Sequence, residues 1–482
     1  MTMSLLAVFN KAQNICNNAS QQFASIVRNI ENADNKNYVR RDTMTTISPE
    51  NVTVVTQRSE NKNMFDKVLH AHSSAIGQQR LLQSFEALKE MMSADDHYNN
   101  SPTHYISKLR DSLESYSKNL SEDILGKTVI DNAEEVVQNF NTSAREVQKI
   151  RADADKEIEL EISNLRRFLS ELTVVNDAIK FKTASKHDAH DFLDQRDVLL
   201  QKISEIIGIS TIVRNNNDMV VYTSDGTTLF ETVPRDINFE KMNSYTVTSE
   251  SNPIFIDGVV VSSNQGSAVP KGKIKALLQI RDSVVPIFQN QLDEMARVLI
   301  GSFSEKDPIA GNSENVPGLF IADGIKDLDN KLCQGISETI CVNPQYRSNP
   351  SFLRDGGSVS KKFLWNVKNL AGYPDLINHY CDSFNKNFIF DPVAGINTNV
   401  TLLEYARNSI GWLEKNRSDS HDLHMKSQVV FNHISESYSN TVGVNLQEEL
   451  SFLIKVEQSY NISNKLIMFT DKMLQTLLEG VK

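Results

Sequence analysis

The chain is short of several residue types, and each shortage closes off a class of protein. It has four cysteines in 482 residues, at Cys16, Cys333, Cys341 and Cys381, with no CxxC pair. That pattern fits neither a disulfide framework nor a zinc ribbon, which both need closely spaced cysteines. A Cys333–Cys341 bridge is conceivable in an oxidising setting, but the spacing carries no motif and free thiols are expected. No apolar run approaches the ~20 residues of a membrane-spanning helix, so no membrane insertion is expected. The run Leu5-Leu6-Ala7-Val8-Phe9 has no Lys or Arg before it and ends at Asn10-Lys11, so a cleavable secretory signal is not expected either. Basic residues number 50 against 61 acidic, a net charge of −11. Nucleic acid and anionic membranes, which need clustered Lys and Arg, are therefore not the expected partners.

What the chain does have is apolar side chains at helical spacing. With 40% hydrophobic and 23% charged residues it reads as folded, and its length implies two to four structural units. Near the N-terminus Leu5, Phe9, Ala12, Cys16, Ala19, Phe23, Ile26 and Ile30 alternate steps of four and three, a heptad seam. Near the C-terminus Leu446, Leu450, Leu453, Val456, Tyr460, Ile467, Leu474 and Leu477 form a second stripe. Two such helices are built to pair with each other and with other subunits, which points to assembly rather than catalysis.

Between the ends, helical periodicity predicts helices over Met64–Met92, Ser107–Leu120, a very long one from Ile124 to about Lys182, and His190–Ile207 ending at Gly208. Thr43–Ser59, broken at Ser48-Pro49-Glu50, reads as a small hairpin. After Gly208 the pattern turns to strands, with Asn215-Asn216-Asn217-Asp218, Ser224-Asp225-Gly226 and Asp257-Gly258 as turns. The predicted organisation is an N-terminal helix over 1–40 and a long-helix rod with a short hairpin over 41–209. A β-rich insert follows over 210–268, then a helical return over 269–440 containing an irregular region at 304–391, and a C-terminal helix over 441–482. The fold class is mainly α with an inserted β-rich unit, an elongated multi-domain rod whose terminal helices pair as a coiled coil.

Candidate chemistry is sparse. His187-Asp188-Ala189-His190-Asp191 and His421-Asp422-Leu423-His424 have HxxH spacing, but neither has the adjacent Glu or an evident third ligand that a zinc enzyme uses. Gly266–Lys273 resembles a phosphate loop superficially, but its spacing is wrong and Ile274 stands where a hydroxyl residue would reach Mg²⁺. No catalytic residue, cofactor or metal site is predicted.

Five segments resemble a known family. Asn29-Ile30-Glu31-Asn32-Ala33-Asp34-Asn35-Lys36-Asn37-Tyr38-Val39-Arg40 resembles the N-terminal signature of bacterial flagellar axial proteins, with Asn37 where glycine is usual. Asn is the side chain that best tolerates positive φ there. Val444–Leu450 and Thr470–Leu478 resemble the shared C-terminal helix. Asp191-Phe192-Leu193-Asp194-Gln195-Arg196-Asp197 and Leu277–Asp282 are similar to elements of the hook-associated protein 1 family. The resemblance singles out Asn29, Asn32, Tyr38, Arg40, Asp194, Gln195, Arg196 and Asp197 as structural positions. Within them, Arg196 is expected to reach carboxylates on a neighbouring helix.

The resemblance implies a non-enzymatic structural subunit at the hook–filament junction of the flagellum, exported without a cleaved signal peptide. It implies as partners other copies of the chain, the hook protein, hook-associated protein 3 and an export chaperone on the C-terminal helix. Another axial component, such as a hook or distal rod protein, is the nearest alternative, and a metal-dependent enzyme using the HxxH clusters is a more distant one.

Overall fold

A computed structural model describes residues 2–47, 52–92, 98–261, 271–308, 316, 318–322 and 331–479. In chain order the first elements are α1 (Thr2–Glu31), β1 (Arg41–Ile47), β2 (Val52–Arg58), α2 (Lys62–Met92), α3 (Pro102–Lys118), α4 (Asp123–Ala184) and α5 (His190–Ile206). Six short strands follow: β3 (Ile209–Val213), β4 (Met219–Thr223), β5 (Thr228–Phe230), β6 (Ile237–Asn238), β7 (Ile254–Ile256) and β8 (Val259–Val261). Next come α6 (Lys273–Gln279), a π turn over Ile280–Val284, and α7 (Val285–Ser302). The irregular region holds α8 (Ile336–Thr339), α9 (Pro344–Ser348), α10 (Phe352–Asp355) and α11 (Asp375–Ser383). It also holds two paired two-residue strands, β9 (Phe320–Ile321) with β10 (Cys341–Val342) and β11 (Phe388–Ile389) with β12 (Asn399–Val400). The chain closes with α12 (Leu402–Val442) and α13 (Leu446–Glu479).

These elements form two compact units that interleave along the sequence. The first comprises residues 1–73, 165–235 and 427–482, the second 74–164 and 236–426. In the first, α1 and α13 lie side by side and antiparallel, since Cys16 meets Asn464 while Asn29 meets Glu449. The β1–β2 hairpin pairs Arg41 with Arg58 through to Ile47 with Val52 and packs on α1. The β3-β4-β5 sheet follows α5 directly. Its first turn uses Asn216 and Asn217, both at φ +57°, a conformation that asparagine accepts more readily than most side chains.

The second unit is built around α7, which is buried on almost every side, as a helix running through a core rather than over it must be. Phe288, Leu292, Met295, Leu299 and Phe303 meet Ile106, Leu109, Phe140 and Tyr405 from surrounding helices in one apolar cluster. Acidic side chains of α7 are satisfied inside the core. Asp293 accepts from the Ser337 and Gly335 amides at 3.0 and 2.8 Å, and Glu294 pairs with Arg297 at 2.8 Å. On the β6-β7-β8 sheet, Asp257 and Gly258 both take positive φ, the geometry of the two-residue hairpin turn expected at that dipeptide.

The described part of the predicted insert over 210–268, up to Val261, is not one β-rich unit. It holds two separate three-stranded sheets, and the first unit takes β3–β5 while the second takes β6–β8. Strand propensity registers that β structure is present, but partner choice depends on contacts with helices far away in sequence. Cys16, Cys333, Cys341 and Cys381 are in no disulfide among the described residues.

Candidate functional site

The terminal signature forms a buried polar knot in the first unit. Asn29 sits in the last turn of α1, and its side chain makes four hydrogen bonds. Its Nδ2 donates to the Arg41 carbonyl at 3.0 Å and to Glu449 Oε2 at 3.1 Å. Its Oδ1 accepts from the Arg41 amide at 3.0 Å and the Tyr38 hydroxyl at 2.8 Å. One asparagine amide has two donor and two acceptor positions, so this side chain is saturated. Burial pushes the Tyr38 phenol up to about 12, which keeps it a neutral donor. Glu449, 1% exposed, also accepts from Arg40 Nε at 2.7 Å, and the Arg40 amide donates to the Val442 carbonyl at 2.9 Å. The end of α1, the start of the hairpin and the first turn of α13 are thus held at one point.

A second layer fastens the hairpin to α5. Asp191, Asp194 and Asp197 recur every three residues and share one face of the helix. Asp194 accepts from Arg41 at 2.6 Å and from Arg58 at 2.9 Å. Arg58 also binds Asp197, and Arg28 reaches Asp191 at 2.5 Å. Gln195 is exposed and lines a groove of about 650 Å³ with Tyr38, Val174 and Val198. Asn32 bonds back to the Arg28 carbonyl at 2.9 Å.

Two expectations are corrected. Arg196 does not reach a carboxylate on a neighbouring helix. It is buried, and its Nη1 donates at 2.7 Å to the Asn217 carbonyl in the β3–β4 turn, so it ties α5 to the adjacent sheet. Asn37 does not adopt positive φ. The turn is closed instead by Asn35, whose side chain accepts from the Asn37 amide at 3.1 Å and whose carbonyl accepts from the Tyr38 amide at 3.0 Å.

The seam residues divide into three groups. Ala12, Ala19 and Ile26 are buried. Leu5, Phe9, Cys16, Ile30, Leu453, Val456, Ile467 and Leu474 are half-covered. Phe23, Leu446, Leu450, Tyr460 and Leu477 are exposed. On α13 the buried positions are Glu449, Ser463 and Thr470, which with Val456 make a strict seven-residue repeat. Polarity hid them from a search for apolar stripes. Arg41 and Arg58 were also missed. Their signal is positional, because they face each other in register across the open end of the hairpin. Met468 and Phe469 project outward from α13 at 72% and 68% exposure, together with Ile454 and Ile462.

The histidines lie apart from this knot's hydrogen bonds. His187 meets Ser185 at 2.9 Å, and His190 contacts Asp188 at 2.5 Å. No group of three metal-capable side chains occurs among the described residues. Gly266–Pro270 of the loop resembling a phosphate loop lie outside the described residues.

Residues 86–307 match the family model described as the flagellar hook-associated protein FlgK helical domain. This stretch, a little under half of the chain, is similar to the FlgK helical domain. Flagellar hook-associated protein 1 of Bacillus subtilis (strain 168) is 20% identical over 403 residues, covering 77% of this chain and 74% of its own. The solved flagellar hook junction protein FlgK from Burkholderia pseudomallei aligns at 17% identity and a TM-score of 0.43. That alignment takes in 53% of this chain and 46% of the other. The FlgK helical-domain match covers α3, α4, α5, α6 and α7 in full and the end of α2. The terminal knot lies outside it, apart from the α5 carboxylates.

Proposed function

We propose that the protein is a non-catalytic structural subunit of the bacterial flagellum that joins hook to filament and assembles through α1 and α13. The observation that carries this reading is the outward apolar face of the terminal pair. Phe23, Ile454, Ile462, Met468 and Phe469 all stand in solvent in the single chain. Singly exposed apolar residues are ordinary on a protein surface, whereas a contiguous set marks a surface made to be covered. Burying each large one in an assembly would contribute roughly 1.5–3 kcal/mol.

The partners that fit are other copies of the chain, the hook protein and hook-associated protein 3. An export chaperone would cover α13 before secretion. The location is extracellular, at the hook–filament boundary, reached without a cleaved signal peptide. The match of residues 86–307 to the FlgK helical domain supports the flagellar setting, and no helix among the described residues is long and apolar enough to cross a membrane.

The test is to tag the chain in a motile strain and to delete its gene in a second. Label confined to the hook–filament boundary, and hooks without filaments in the deletion strain, are the expected results. Label spread along the hook or the rod would assign the chain to another axial component.

A further inference from the structure

On α13 the face turned toward α1 is the less apolar one. It buries Glu449, Ser463 and Thr470 and half-covers Leu453, Val456, Ile467 and Leu474, while Phe452, Ile454, Ile462, Met468 and Phe469 stand exposed; α1 buries Ala12, Ala19 and Ile26. Turning α13 about its axis would bring its large side chains against α1 within the same chain and remove more apolar surface from water. Something must oppose that collapse. The only fully buried carboxylate of α13 among the described residues is Glu449, held by Arg40 and Asn29. Rotation would break both bonds and leave Arg40 and Asn29 without the carboxylate they share. A polar residue at a buried seam position is a known means of choosing one packing over a more apolar rival, at some expense of stability.

We propose that Glu449, clamped by Arg40 and Asn29, is the specificity-determining residue that selects which face of α13 is buried against α1 and which is presented to partner subunits. The backbone bond from Arg40 to Val442 holds the end of α12 just before α13 begins, so the clamp acts where α1 ends and α13 starts. The purpose of the presented face rests on the assembly reading above. The packing choice does not, because it can be read in the unassembled chain.

The test uses disulfide trapping in the full-length chain under mild oxidation, with bridges mapped by mass spectrometry. Cys16 already sits 3.5 Å from Asn464, so Asn464→Cys reports the observed pairing through a bridge to Cys16. Ile26→Cys with Ile454→Cys, in a Cys16→Ser background, reports the turned pairing, since Ile26 is buried on α1 and Ile454 is exposed on α13. With Glu449 intact, the first bridge should form in most molecules and the second in few. In Glu449→Leu, and separately in Arg40→Leu, the ratio should reverse, with a several-fold loss of the first bridge and a matching gain of the second. Dye binding to exposed apolar surface should fall in the same variants. An unchanged bridge pattern in both variants would overturn the proposal. So would loss of both bridges, since the clamp would then hold the helices together without choosing their faces. Normal bridge behaviour in a chain that labels the wrong part of the flagellum would leave the clamp standing and remove only the junction assignment.

Discussion

Arg41 and Arg58 face each other directly across the open end of the hairpin, and the carboxylate of Asp194 binds both, at 2.6 and 2.9 Å. Their side chains are only 2% and 6% exposed. Two guanidinium groups opposed in adjacent strands repel unless an acid is placed between them. The arrangement is therefore stable only while α5 is docked, which couples the hairpin to a helix more than a hundred residues away.

Removing that acid should be costly. Asp194→Asn leaves two buried cations short of a counter-charge, and breaking a buried pair from one side costs about 3–5 kcal/mol. Chemical denaturation should show the first unit losing stability on that scale. Asp191→Asn removes a carboxylate that is 55% exposed and should cost under about 1 kcal/mol, as exposed pairs do. Equal losses in the two variants would show that burial does not grade this network.

Arg196→Leu should weaken the attachment of the β3-β4-β5 sheet. The substitution leaves the Asn217 carbonyl without its donor at a turn whose two asparagines are both at φ +57°. An unsatisfied buried acceptor costs about 1–3 kcal/mol, and the half-buried Asn217 should lie at the lower end, about 1 kcal/mol. Amide exchange in Ile209–Thr223 should speed up before exchange in α13 does. Uniform acceleration across the first unit would mean that Arg196 supports the whole unit and not the sheet.

Phe23 and Ala19 should respond in opposite ways. Phe23 is 47% exposed, so Phe23→Asp should leave the melting temperature of the free chain nearly unchanged while filaments fail to form on the hook. Ala19 is 3% exposed in the buried seam, and Ala19→Leu overpacks it at a cost of about 1–3 kcal/mol. Thermal melts and electron microscopy of flagella separate the two. Full filaments in the Phe23→Asp strain would remove α1 from the assembly surface.

His72 gives the first unit an acid-sensitive component. Its ring stacks on Phe431 with centroids 4.7 Å apart, and Ser204 and Glu205 face it from α5. Burial lowers its pKa, with Glu205 at 3.9 Å acting in the opposite direction. The unfolded chain therefore holds the proton more tightly than the folded one. The stability contribution is complete above the ordinary imidazole pKa of about 6.5. It is lost as pH falls from there through the lower folded value. His72→Phe keeps the stack and removes the titration. The wild type should lose more stability than this variant between about pH 7.5 and about pH 5.5, a window that brackets the ordinary imidazole value. Parallel curves would rule His72 out.

Much of this molecule could be read from its sequence, and the limits of that reading have a physical origin. The helices α1, α2, α4, α5, α12 and α13 were legible because apolar periodicity and capping are local properties of the chain. The turn at Asp257-Gly258 was legible for the same reason. The terminal motifs Asn29–Arg40 and Asp191–Asp197 stood out as residues, but not as one network. What the tertiary structure alone decided was which face each terminal helix buries, and that Arg41 and Arg58 share Asp194. Only the tertiary structure showed that Arg196 reaches a carbonyl rather than a carboxylate, and that the strands between 209 and 261 belong to two units. Heptad spacing specifies that a helix has a stripe to cover. It does not say whether the small face or the large one is turned inward, because that choice depends on a buried carboxylate and its partners more than four hundred residues apart in the chain.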